Sequence, residues 1–278
     1  RESIEARHFK VVYQPKVDAA GRLRGCEALV RWQHPEMGLI TPDRFIPLAE
    51  ETGHIVAIGE QVLTAACHEA AGWPIVDGRR LSIAVNLSVR QLDEPGLPAR
   101  IARTLAESGL PPECLELEIT ESAIMGDVVQ TIRRLNSIKA LGVRVAVDDF
   151  GTGYSSLAYL QRLPIDTLKI DRSFVSGCDR DEAAMTIPHA IIFLGKGLNL
   201  HLVAEGVETT AEMNLLATCG CDEFQGYLIA RPLDSDALAE FIVGQLKDCP
   251  GRPRPATGSV RGCRRRPGRE RSARRSRR

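Results

Sequence analysis

The sequence predicts an α/β fold, a (β/α)8 barrel. Three observations carry that prediction. Short β-rich runs alternate with longer helical patterns, which implies parallel pairing through right-handed crossovers. About eight such units fill roughly 245 of the 278 residues, the size of a barrel. Polar residues interrupt the apolar strands about one unit apart. A doubly wound open sheet is the rival arrangement.

The strands follow in order. Residues 9–15 (FKVVYQP) and 25–32 (GCEALVRW) are β-rich runs. Residues 81–86, 115–120, 143–148, 167–170 and 201–205 supply five more, and 223–227 a weaker eighth. Helical patterns fall between them at 55–71, 97–108, 128–141, 156–161, 187–197, 210–218 and 235–246. Asp127 is placed to cap the helix at 128, and Thr209 with Glu212 fits a capping box. Asp234 precedes the last helix, and Gly142 follows Leu141 as a C′ glycine. Pro188 breaks the pattern, because proline lacks a backbone donor and crowds the preceding turn. That helix is expected to start at residue 187 or 188, or to kink there.

The charge balance divides the chain. Lys+Arg and Asp+Glu are 36 each, a formal net charge of zero. Residues 249–278 hold twelve arginines and one acid, Glu270, for +11; the first 248 residues carry −11. The body is therefore neither a basic nucleic-acid binder nor an acidic disordered chain. The Arg-rich tail has almost no apolar residues and is expected to be disordered, with nucleic acid or an anionic surface as its only evident partners. The domain is expected to span 1–248. No run approaches the roughly 20 apolar residues of a spanning helix. The polar start without Met shows no signal peptide and reads as a fragment or processed product. Eight scattered cysteines without that signal read as reduced thiols in the cytoplasm, in a separate protein or the cytosolic part of a membrane-tethered one.

The informative polar residues are Glu27, Asn86, Glu118, Asp148, Lys169, Glu205 and Gln225, spaced by 59, 32, 30, 21, 36 and 20 residues. In a barrel, the C-terminal strand ends converge on one mouth, where active sites sit. Counting Asp149, five carboxylates meet there. Like charges at short range are costly unless neutralised. Oxygen-only ligands favour Mg²⁺ or Mn²⁺, and five carboxylates suit two ions bridged by a shared acid, with the pair Asp148-Asp149 placed to bridge. Lys169 beside them suits phosphate chemistry, by orienting a water or balancing charge on a phosphoryl oxygen. Residues 150–156 (FGTGYSS) make a flexible loop without the Gly-Lys-Ser/Thr of a Walker motif.

The chain resembles the EAL domain family, bacterial phosphodiesterases of cyclic di-GMP. Glu27-Ala28-Leu29 followed by Val30-Arg31-Trp32 looks like the naming motif. Tyr13-Gln14-Pro15, Asn86-Leu87-Ser88, Glu118-Ile119-Thr120-Glu121, the run 148–156, Lys169-Ile170-Asp171, residues 205–208 (EGVE) and Gln225-Gly226-Tyr227 match in order and spacing, across about residues 7 to 245. The resemblance implies a modified (β/α)8 barrel with its first strand antiparallel to the rest, two Mg²⁺ or Mn²⁺ ions, and hydrolysis of cyclic di-GMP to linear pGpG.

It also implies roles. Glu27, Asn86, Glu118, Asp148, Asp149 and Glu205 would ligate metal. Lys169 would position the attacking water, with Asp148 and Glu205 as proton acceptors. Glu121 would anchor the loop after Asp149 and couple it to metal binding. Arg31 would pair with a phosphate, and Gln14, Leu29, Asn86, Asp171 and Gln225 would contact substrate. Glu208 is needed in the family. Relatives imply a homodimer through the helix near 187–197 and an upstream sensor or diguanylate cyclase-like domain. The alternative function is a cyclic di-GMP receptor that binds without cleaving; a weaker third is a scaffold acting through the tail. None of the six histidines falls on a motif, which disfavours a histidine-based nuclease.

Overall fold

The computed structural model describes residues 8–124, 127–152 and 160–248. The tail at 249–278, the N-terminal residues 1–7, most of the expected helix at 156–161 and the end of the loop at 150–156 lie outside the described residues. The strands are β1 (Phe9–Asp18), β2 (Leu23–His34), β3 (Gly38–Ile40), β4 (Ser82–Asn86), β5 (Leu115–Thr120), β6 (Arg144–Phe150), β7 (Thr167–Ile170), β8 (His201–Ala204) and β9 (Glu223–Gln225). They form one sheet in the order β1-β9-β8-β7-β6-β5-β4-β2-β3, and β1 also pairs with β2. That extra pairing closes eight strands into a barrel and leaves β3 as a flap hydrogen-bonded to the end of β2. A doubly wound sheet has two open edges, so closure decides against it.

β1 runs antiparallel to both of its barrel neighbours, β2 and β9. The pairs from β2 through β4 to β9 are parallel. The reason is local. A tight turn with Gly21 at φ 74° joins β1 to β2, and a two-to-four-residue turn can only return the chain antiparallel. Every later barrel strand is reached by a longer crossover, most of them through helices, whereas β3 returns directly on β2.

The helices are α1 (Pro42–Glu51), α2 (Ile55–Ala71), α3 (Val89–Asp93), α4 (Leu97–Ser108), α5 (Glu121–Ile124), α6 (Val128–Lys139), α7 (Arg172–Val175), α8 (Thr186–Gly197), α9 (Thr210–Cys219) and α10 (Ser235–Asp248). α2 and α4 match the expected spans, and α6, α9 and α10 differ by one or two residues at an end. The caps form as read: Asp127 accepts from Gln130 N, Thr209 and Glu212 complete a capping box, and Asp234 accepts from Ala237 N. α8 starts at Thr186, so Pro188 falls in the first turn, where its missing N–H has no intrahelical partner. His189 N bonds to Met185 O at 3.0 Å and the helix continues past the proline. β3, α1, α3, α5 and α7 were not anticipated. Pro47 lies inside α1 and masks its periodicity.

Helices pack aliphatic side chains against the outer barrel wall, and Ile83, Leu115, Leu117, Ile119, Val145, Val147, Leu168 and Leu202 are fully buried. Among the described residues Cys26, Cys67, Cys114, Cys178, Cys219 and Cys221 are free thiols. No helix among them is long and apolar enough to cross a membrane.

Candidate active site

Alternation sets the site. Within β5, Glu116 and Glu118 project into the barrel, while the three flanking residues Leu115, Leu117 and Ile119 face the helices. Lys169 on β7 also points inward and is 0% exposed. Its Nζ lies 2.6 Å from Glu205 Oε1, 2.7 Å from Glu118 Oε2, 3.1 Å from Asp148 Oδ1 and 3.7 Å from Glu27 Oε2. One ammonium thus joins strands β2, β5, β6 and β7 with the residue just after β8.

Glu27 is held at both oxygens. Asn86 Nδ2 donates to Oε1 at 2.6 Å, and Gln225 Nε2 donates to Oε2 at 2.6 Å. Gln225 also donates to Gln14 Oε1 at 3.1 Å. Burial pushes the Glu27 carboxyl up, but Lys169 and these amides outweigh it and hold the group below the usual range. Glu118 has no such amides. Burial and the neighbouring Glu27 and Asp148 carry it well above, against Lys169 and Lys16. Burial likewise pushes Glu205 up to about 8 and Asp149 up to about 6, the latter helped by Asp148 and Asp171. Burial tends to lower the Lys169 ammonium, yet Asp148, Glu118, Glu205 and Glu27 together carry it well above its ordinary value.

Two consecutive acids cannot share a face in a regular strand. Here they do. The β6–β7 register shifts between Val147 and Phe150, and Asp149 takes φ 54°, the left-handed region. Such backbone costs on the order of 1–3 kcal/mol in a residue with a side chain and clusters at functional sites. The result is that Asp148, Asp149 and Glu205 bring one oxygen each to within 4.8 Å of one another, a group able to hold a metal ion. Glu121 closes the turn: its Oε2 accepts from Gly151 N at 2.8 Å. Gly151 has φ 99°, and a Cβ there would meet the Phe174 ring at 2.9 Å, so glycine is required.

A cleft of about 260 Å³ opens above, lined by Gln14, Glu27, Leu29, Asp148, Glu205 and Gln225 with Arg172, Gly206, Glu208, Gly226 and Tyr227. Eight residues read from the sequence therefore meet at the mouth: Glu27, Asn86, Glu118, Asp148, Asp149, Lys169, Glu205 and Gln225. Gln14 and Leu29 line the cleft. Asp171 faces Asp149 and caps α7, accepting from Ser173 N at 3.0 Å. Arg31 donates to Val30 O at 2.9 Å and lies near enough to Glu27 and Tyr227, both on the cleft lining, to feel their charge. Arg172 and Tyr227 were not singled out as site residues. Arg172 pairs with Glu208 at 2.8 Å on the cleft wall, and Arg231 stacks 4.3 Å from the Tyr227 ring centre. Arg172 carried a readable signal, a cation immediately after the Lys169-Ile170-Asp171 run.

The EAL domain family matches residues 1–232. A signaling protein of Caulobacter vibrioides is 49% identical over 239 residues, which are 86% of this chain and 29% of that protein.

The chain belongs to the EAL domain family.

The bifunctional diguanylate cyclase/cyclic di-GMP phosphodiesterase MucR of Pseudomonas aeruginosa is 47% identical over 245 residues, 87% of this chain and 36% of that protein. A solved structure of the PaMucR phosphodiesterase in complex with c-di-GMP superposes with a TM-score of 0.80 at 46% identity, over 86% of this chain and 97% of that one. The EAL domain of Mycobacterium smegmatis DcpA matches at 0.71 and 34%, covering 85% and 96%. This EAL chain spans about a third of the length of the curated relatives it matches.

Proposed function

We propose that this EAL domain, spanning residues 1–248 with the Arg-rich tail outside it, is a cytoplasmic metal-dependent phosphodiesterase that hydrolyses cyclic di-GMP to 5′-pGpG. The observation that carries the reading is the gathering of Asp148, Asp149 and Glu205 within 4.8 Å beside the buried Lys169. Similarity to a phosphodiesterase solved with c-di-GMP supports the substrate.

The residues present fit divalent metal. The donors are oxygens only, which suits Mg²⁺ or Mn²⁺. Glu118 Oε1 is buried and accepts no hydrogen bond, with Lys16 Nζ 3.7 Å away, so the chain alone does not satisfy this carboxyl group. Glu27, Asn86, Glu118, Asp148, Asp149 and Glu205 would hold two ions. When bound, such ions acidify a water and stabilise charge on the phosphoryl oxygens.

The chain's own groups do the rest. Lys169 has three N–H donors, and three carboxylates within 3.1 Å occupy them. Lys169, released from any one of these acids, would hold the attacking water beside Asp148 and Glu205. The water oxygen bonds to phosphorus, the bond from phosphorus to the 3′ oxygen breaks, and the 3′ oxygen leaves, taking up the proton that the water gives to Asp148 or Glu205. Glu121 keeps the turn at Asp149 in place through Gly151. Gln14, Leu29, Asn86, Gln225 and Asp171 contact the dinucleotide, and Arg31 pairs with its phosphate. Pairing of two copies through α8 belongs to the same proposal and is supported by Phe193, 80% exposed on that helix. An upstream regulatory domain is supported by the length of the relatives.

The acids give a pH signature. Glu205 holds its proton in the folded state up to about 8, whereas the unfolded chain releases it near the ordinary 4.5. The folded state then binds more protons between those values, so its stability falls as pH rises through that window. Chelator-treated protein is expected to melt at progressively lower temperature from about pH 5 to about pH 8. Saturating Mg²⁺ at the upper end restores the melting temperature, and Glu205→Gln flattens the slope. A melting temperature that rises across that range and ignores Mg²⁺ contradicts the assignment.

A further inference from the structure

We propose that Lys16, anchored by Glu116 beneath the mouth, is a positioning residue that fixes the Glu118 carboxylate for cation ligation. The inference rests on the phosphodiesterase reading only in taking Glu118 as a ligand.

Lys16 and Lys169 are the largest fully buried side chains among the described residues. Lys16 reaches inward from β1, opposite Gln225 and Gly25 in the strand register. Its Nζ donates to Glu116 Oε1 at 3.1 Å and lies 3.7 Å from Glu118 Oε1. Glu116 is fixed on its other side, where Thr167 Oγ1 donates to Oε2 at 2.7 Å and Arg144 stands at 3.7 Å. Glu118 Oε2 accepts from Lys169 at 2.7 Å. The two oxygens of Glu118 thus face two different ammoniums, one in the mouth and one beneath it. A carboxylate held at one oxygen swings about that contact; Lys16, 3.7 Å from Oε1, removes the swing and keeps the Oε2 edge turned to the mouth, where Lys169 stands.

Stability does not account for the arrangement. A buried ion pair is often no better than an apolar pair of similar volume. Lys16 and Glu116 touch neither the cleft nor solvent, and of the groups paired with them, Thr167, Arg144 and Glu118, only Glu118 reaches the mouth. Groups that orient a metal ligand are worth about 10–100-fold in affinity or activity when removed.

The test removes the pair together. Lys16→Met with Glu116→Gln keeps the net charge and leaves neither partner orphaned. Manganese titration by calorimetry should show affinity weakened roughly tenfold or more. With cyclic di-GMP, kcat should fall by a similar factor while KM stays within about threefold, because the substrate contacts lie in the cleft above. A folded double variant whose Mn²⁺ affinity and kcat stay within about twofold of the parent overturns the proposal. Should that variant not fold, the parent answers alone. Protein labelled with ¹⁵N at lysine Nζ should show two slowly exchanging ammonium signals, those of Lys16 and Lys169. Both should shift as Mg²⁺ is added; a shift in one alone overturns the proposal. A parent that binds Mn²⁺ yet leaves cyclic di-GMP intact fails the phosphodiesterase reading and leaves the affinity comparison standing.

Discussion

Replacing Lys169 by methionine is expected to abolish measurable turnover, a loss of at least about 10³-fold, and to destabilise the fold in the absence of metal. The rate loss follows from removing the ammonium that, on the proposed mechanism, holds the attacking water. The stability loss follows from what remains. Glu118, Asp148, Glu205 and Glu27 all lie within 3.7 Å of that nitrogen, and Glu118 is fully buried. Removing one partner of a buried charge cluster costs about 3–5 kcal/mol. In a domain of this size that corresponds to a fall in melting temperature on the order of 10 °C. Scanning calorimetry with chelator and with Mg²⁺ checks it. Metal should recover part of the stability, because cations compensate the same carboxylates, and none of the turnover. A variant that retains a tenth of parental activity would remove Lys169 from the chemistry.

Glu27→Ala is expected to lower turnover by about 10³-fold or more and to weaken Mn²⁺ binding measurably. Truncation takes away a carboxylate kept ionised by its surroundings and removes one acceptor from the buried Gln225 amide, whereas the exposed Asn86 can turn to water. Gln225 still has Gln14 as an acceptor, so the β1–β9 seam should hold and the barrel should stay folded. Steady-state assays beside manganese titration separate the two losses. Turnover within tenfold of the parent, in a folded sample, would mean that Glu27 is a structural acceptor only.

The barrel was readable because most of its strands obey simple periodicity. Glu27, Asn86, Glu118, Asp148, Lys169, Glu205 and Gln225 each interrupt or end an apolar run, and the structure brings them to one mouth. The antiparallel first strand was not readable from periodicity; only the family resemblance implied it. Asp149 shows a second limit. Period-two alternation would send it outward, and only the register shift and its left-handed backbone turn it toward Asp148. Glu116 carried the same signal as the others, a charge inside an apolar strand, but Lys16 lies just past the expected strand end at residue 15, and the two, 100 residues apart in sequence, meet only across the closed barrel. α1 was hidden by Pro47, which breaks the periodicity of a helix that tertiary packing nevertheless supports through Phe45 and Ala49. Arg172, the first residue of α7, and Tyr227, in the turn after β9, reach the cleft from just beyond strand ends, where spacing says little about direction.

The most direct test is a product assay on cyclic di-GMP with purified protein, run with Mg²⁺, with Mn²⁺, with Ca²⁺ and with chelator. The account predicts conversion to 5′-pGpG with Mg²⁺ or Mn²⁺ and none with chelator, with binding measurable in Ca²⁺. Folded protein that binds cyclic di-GMP but leaves it intact under both Mg²⁺ and Mn²⁺ would contradict it and identify a receptor instead.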